Sequence, residues 1–149
     1  MGRKGFSTIE MIMVIVLIGL IASIGFPRLR RGLEKQNIRS AKALISTMVA
    51  TARGTAIQRG CVAVLNFSTD SLWVTACGVT GNPPPASVVV GTAKQMRGEL
   101  NVTLSSSQPT ITYDPRGMRL SLVRTTVRVI GPLYQDSVVI NEVGKVIRQ

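Results

Sequence analysis

Residues 6–26 read FSTIEMIMVIVLIGLIASIGF, a run of 21 positions whose one charge is Glu10. As an α-helix rising about 1.5 Å per residue, such a run reaches roughly 31 Å, enough to cross the hydrocarbon core of a bilayer. A secretory signal peptide is the rival reading, because Arg3 and Lys4 form a basic start and the stretch from Ala22 to Gly25 offers small residues for cleavage. Two details count against it. The run is longer than an ordinary signal core, and a carboxylate inside hydrocarbon is costly for a segment that is merely discarded. Arg3 and Lys4 precede the run while Arg28, Arg30 and Arg31 follow it, so flanking charge leaves the orientation open.

Just ahead of the run stands MGRKG, a short basic leader ending in Gly5; Phe6, Glu10, the aliphatic stretch and Pro27 follow. This pattern, over residues 1 to 27, closely resembles the class III signal of type IV prepilins and type II secretion pseudopilins. The resemblance implies that a prepilin peptidase cuts after Gly5 and methylates the new amino terminus at Phe6. It also implies an assembly role for Glu10. A carboxylate in hydrocarbon is tolerable when a cation offsets its desolvation, and the free amino group of Phe6 on a neighbouring subunit would supply one.

Beyond Pro27 the apolar positions Leu29, Leu33, Ile38, Ala41, Leu44, Ile45, Met48, Val49 and Ala52 recur at three- and four-residue steps. They predict an amphipathic helix that continues the spine and stops at Gly60. Lys35, Arg39, Lys42 and Ser46 are expected on its polar face. Gly54 lowers helix propensity and predicts early fraying.

From Gly60 the period shortens to that of strands. Val62–Phe67 and Leu72–Thr75 form a predicted hairpin about the polar stretch 68–71, and Cys61 and Cys77 flank it. A disulfide across the open end is the preferred reading, two free thiols the alternative, and a disulfide implies an oxidising compartment. Residues 78–86, with three successive prolines, are a loop that cannot pair in a sheet. Further strands are predicted at 100–104, 110–113, 119–123, 126–130, 137–140 and 145–147, with Asp114 to Gly117 as a type I-like turn.

The expected class is therefore α+β: a long N-terminal helix, half membrane-spanning and half amphipathic, packed on a mainly antiparallel β head, as in the pilin fold. The predicted organisation is leader 1–5, membrane and filament-core helix 6–27, amphipathic helix 28–60 and β-rich head 61–149.

Of 18 Lys+Arg and 7 Asp+Glu in the chain, 13 and 6 fall from Glu34 onward, so the part beyond the membrane-flanking charges carries an excess of seven positive charges. That field favours polyanions without specifying one. The chain has no histidine, which removes the commonest general base and metal ligand together. No nucleophile is paired with a base, no glycine loop suits a phosphate, and Asp70, Asp114, Asp136 and Glu142 lie in or beside predicted turns. The reading is a non-enzyme with no cofactor and no metal.

Three patterns in the head, residues 52–60, 111–117 and 138–145, resemble minor pilins and pseudopilins of the FimT/GspH type. The resemblance implies a minor pilus subunit, held in the bacterial inner membrane by a single span with its head in the periplasm, then assembled into a filament. Its partners would be other pilin or pseudopilin subunits and the prepilin peptidase. Some FimT-like pilins take up DNA through basic residues near the carboxyl end; the matching positions are Lys145 and Arg148. Arg116, Arg119, Arg124 and Arg128 are further candidates for phosphate contact. The alternative is the H-type pseudopilin of a type II secretion system.

Overall fold

A computed structural model describes residues 7–78 and 87–148. Helix α1 runs Thr8–Arg59, with Pro27 inside it. The chain divides into two compact units, Met1–Leu33 and Glu34–Gln149. In the first, the large apolar side chains from Ile9 to Phe26 are exposed, as are Leu29 and Leu33. This part of α1 is long and apolar enough to cross a membrane.

In the second unit α1 buries Glu34, Ile38, Ala41, Lys42, Ile45, Met48, Val49, Ala52, Thr55 and Ala56. These positions recur every three or four residues and so share one face. Alanine at 41, 52 and 56 is fully buried, and its single methyl lets strand side chains approach the helix axis. Gly54 does not fray the helix, which continues to Arg59. Gly60 ends it at φ +61°. There the Gly60 N–H donates to Ile57 O and the Cys61 N–H to Ala56 O, a Schellman ending that needs the left-handed conformation.

The remaining elements are β1 (Ala63–Phe67), β2 (Ser71–Ala76), β3 (Val88–Gln95), α2 (Met96–Leu100), β4 (Thr103–Ser106), β5 (Thr110–Tyr113), β6 (Thr125–Ile130), β7 (Gln135–Ile140) and β8 (Val146–Arg148). They form two four-stranded sheets, ordered β3-β2-β1-β5 and β4-β6-β7-β8. Every pairing is antiparallel. Leu65 pairs with Val74 on one side and Ile111 on the other, so alternate residues of β1, β2 and β5 face the helix while Val127, Val129, Val138 and Ile140 fill the core from the second sheet. The architecture is the expected α+β arrangement of a long helix on antiparallel sheets.

Two predicted strands are corrected, and one strand was unforeseen. Residues 119–123 form no strand; one isolated bridge, Tyr113 to Arg119, is all the pairing there. Leu100 closes the short helix α2, and the strand predicted at 100–104 begins at Thr103 after Asn101 turns the chain at φ 52°. Strand β3 at the sheet edge had no counterpart in the sequence reading. The proline loop at 79–86 lies outside the described residues.

Candidate functional site

Of the processing and assembly residues, Gly5 and Phe6 lie outside the described residues. Glu10 sits in the first turn of α1, exposed, its N–H donating to Ser7 O at 3.0 Å. An acid in the first turn also complements the helix dipole. Cys61 and Cys77 are joined as a disulfide with their Cα atoms 6.3 Å apart. Beside the bridge, Arg59 donates from a guanidinium nitrogen to Cys77 O at 2.7 Å, tying the helix end to the end of the hairpin.

The basic candidates divide by environment. Arg116, Arg124, Arg128 and Lys145 are exposed. Arg116 is in the turn after β5, where Asp114 Oδ1 accepts from the Arg116 N–H at 3.0 Å and the Met118 N–H at 2.7 Å. Arg124 stands just ahead of β6. Arg128, within β6, is paired in register with Ser105 and Ser137. Lys145 closes the turn after β7, its N–H bonded to Asn141 Oδ1 at 2.6 Å. Arg148 pairs in register with Val138. These residues are spread over both sheets rather than gathered on one element.

Arg119 is a correction. It is buried, donating from one guanidinium nitrogen to Ile140 O at 3.3 Å and Asn141 O at 3.1 Å, and from the other to Thr125 Oγ1. A guanidinium committed to buried acceptors is a structural tie, unavailable to a phosphate. Tyr113 lies beside it. Burial pushes the Tyr113 hydroxyl above its ordinary value, against the pull of the Arg119 and Arg53 charges. Gly144 completes the cluster: at φ +80°, a Cβ there would stand 3.0 Å from Tyr113 Cε1. Lys145 therefore follows a backbone packed directly against this buried tyrosine.

A second polar group escaped the sequence reading. Glu34 Oε1 accepts from the N–H groups of Leu133 and Tyr134, and Lys35 Nζ lies 5.0 Å from the centre of the Tyr134 ring. Lys42 Nζ donates to Asp136 Oδ2 at 2.6 Å. Lys42 is thus buried on the core side of α1 instead of solvated on its polar face, and Asp136 lies within β7, which begins two residues before the strand predicted at 137–140. The signal lay in the period, since Glu34, Ile38, Ala41, Lys42 and Ile45 fall on one stripe.

For Asp136, burial works to raise the pKa, but the Lys42 hydrogen bond, the Ser137 N–H and the Lys42 charge outweigh it and hold the carboxyl below its ordinary 3.8. A depressed folded-state pKa contributes stability above the unfolded value that is lost as pH falls through the folded one. Unfolding followed by the fluorescence of Trp73, the single tryptophan, is expected to show stability falling below about pH 4. The substitution Asp136→Asn should flatten that fall; an unchanged acid limb would remove the pair as its cause.

Among the described residues no group of His, Cys, Asp or Glu is placed to hold a metal.

The family model described as type II transport protein GspH matches residues 42–144. No curated protein matches the chain in sequence. Among solved structures, the type IV minor pilin FimU of Pseudomonas aeruginosa in one crystal form is 13% identical, with a TM-score of 0.58 over 78% of this chain and 90% of that one. A second crystal form of FimU gives 0.54 at 13% identity, over 74% and 91%.

Proposed function

The chain belongs to the GspH family, and on that premise we propose that it is a minor pilin of a type IV pilus, made as a prepilin and held in the bacterial inner membrane until assembly. The observation that carries this reading is the pairing of a GspH-type head with an apolar helix that the chain itself leaves uncovered from Ile9 to Phe26. Such a surface requires lipid before assembly and neighbouring helices after it. Glu10, placed in that surface, supports assembly through an amino terminus of an adjacent subunit. On this reading a prepilin peptidase cuts after Gly5 and methylates Phe6, leaving a single span with the disulfide-bonded head in the periplasm.

The first test is the intact mass of the chain recovered from cells that hold a prepilin peptidase. Loss of Met1 to Gly5 with gain of one methyl group is expected. A product that retains residues 1–5 would sink the prepilin reading.

The exposed cations Arg116, Arg124, Arg128 and Lys145, with Arg148, support DNA as a ligand of the head. The full chain in uncharged detergent, titrated with duplex DNA at several salt concentrations, is expected to lose affinity steeply as salt rises. Lys145→Ala/Arg148→Ala should weaken binding and lower that slope by about two counterions. Absence of binding near physiological salt would remove DNA and leave a purely structural subunit. The second reading, an H-type pseudopilin of a type II secretion system, is favoured by the family match over residues 42–144. Failure to bind DNA, together with assembly beside a secretion secretin, would decide for it.

A further inference from the structure

The apolar side chains of residues 118–123 form a surface that neither membrane anchoring nor phosphate contact uses. The sequence there alternates like a strand, yet the chain gives it one bridge and no strand. Met118, Leu120, Leu122 and Val123 are 58%, 59%, 77% and 51% exposed. Leu120 donates its N–H to Thr112 O, so the segment starts along the free edge of β5. From residue 121 to 124 no backbone group has a hydrogen-bond partner among the described residues.

An edge with strand-forming side chains and unpaired backbone groups is a template for a further strand. Its ends are basic. Arg116 and Arg124 are exposed on either side, Asp114 Oδ1 is engaged by the backbone N–H groups at 116 and 118, and the charge of Glu142 acts on the buried Arg119. We infer that residues 118–124 dock an extended segment of another protein chain, one that alternates apolar with acidic side chains and pairs with this edge by strand addition. The backbone supplies affinity, the aliphatic side chains bury against the partner, and the flanking arginines select an acidic sequence. Exposed leucine and valine offer duplex DNA nothing, which favours a protein segment over nucleic acid. The proposal stands apart from the subunit reading, because the test supplies the partner as a peptide.

The full chain in uncharged detergent is titrated with a short peptide alternating glutamate and valine, and with its lysine–valine counterpart, while amide hydrogen exchange is followed. The glutamate peptide is expected to bind at least about tenfold more tightly and to slow exchange at residues 121–124. Leu122→Asp should weaken it by about tenfold or more, and Arg124→Glu should reverse the preference between peptides. Both side chains are exposed, so the Trp73 unfolding transition should stay in place and separate lost docking from lost folding. Equal affinity for the two peptides, indifference to Leu122→Asp, or slowed exchange at 121–124 with duplex DNA in place of the peptide would each overturn the inference.

Discussion

Arg119→Ala is expected to lower the unfolding free energy by about 3–5 kcal/mol, from the loss of charge-assisted hydrogen bonds to buried acceptors together with the cavity left behind. The side chain is 6% exposed and serves three acceptors, the carbonyls of Ile140 and Asn141 and the hydroxyl of Thr125. Alanine leaves all three in the core without that donor, and a cavity beside Tyr113 adds to the loss. Because Ile140 and Asn141 lead into the turn that carries Lys145, the end of β7 should loosen first and gain amide exchange ahead of β1 and β2. Arg119→Lys is expected to recover only part of the loss, since an ammonium cannot reproduce the planar fork. Denaturant unfolding of the full chain in detergent, read by Trp73, measures both. A loss under about 1 kcal/mol for the alanine variant, the level of an exposed ion pair, would show the arginine to be a surface charge after all.

Cys61→Ser/Cys77→Ser is the second large effect. The bridge closes a loop with a sequence separation of 16, for which chain entropy gives about 3 kcal/mol. The effect should reach beyond the hairpin. Cys61 follows the Schellman ending of α1, and Cys77 O accepts from Arg59, so cutting the bridge relaxes the joint that seats the helix end on β1 and β2. Reduction of the native chain under non-denaturing conditions should reproduce the shift in the Trp73 transition. Equal stability of the reduced and oxidised chains would mean that the helix cap and strand pairing hold the joint without the bridge.

Much of this architecture was legible because it rests on local periodicity. The apolar run, the stripe from Ile38 to Ala52, and the hairpin of Val62–Phe67 with Leu72–Thr75 each repeat a pattern over several residues. Strand β3 was not legible: it is an edge strand with no fully buried residue, and its three successive valines followed by Gly91 show no alternation of apolar and polar residues. Helix α2 has five residues, too few for a helical period to register. Residues 119–123 failed in the opposite sense. Their composition is that of a strand, but β5 accepts pairing only at the first of them, and composition does not reveal whether a partner strand exists.

The candidate site was legible where function is carried by motif and obscure where it is carried by distance. Glu10, Cys61 and Cys77 could be singled out from their neighbours in the chain. Lys42 and Asp136 stand 94 residues apart and Glu34 and Tyr134 stand 100 apart, so nothing near either member announces the other. Arg119 fell among the candidates for phosphate contact because a buried arginine and an exposed one leave the same trace in a sequence.

The carboxylate of Glu34 fixes where the chain may be cut. Removing the apolar run to obtain a head that dissolves without detergent invites a new start at Gln36, just past Lys35. That start deletes the acceptor of the Leu133 and Tyr134 N–H groups and, with Lys35, the cation over the Tyr134 ring. A shortened protein beginning a full helical turn before Glu34 would keep both, and would tell whether poor behaviour of shorter versions belongs to the head or to the place chosen for the scissors.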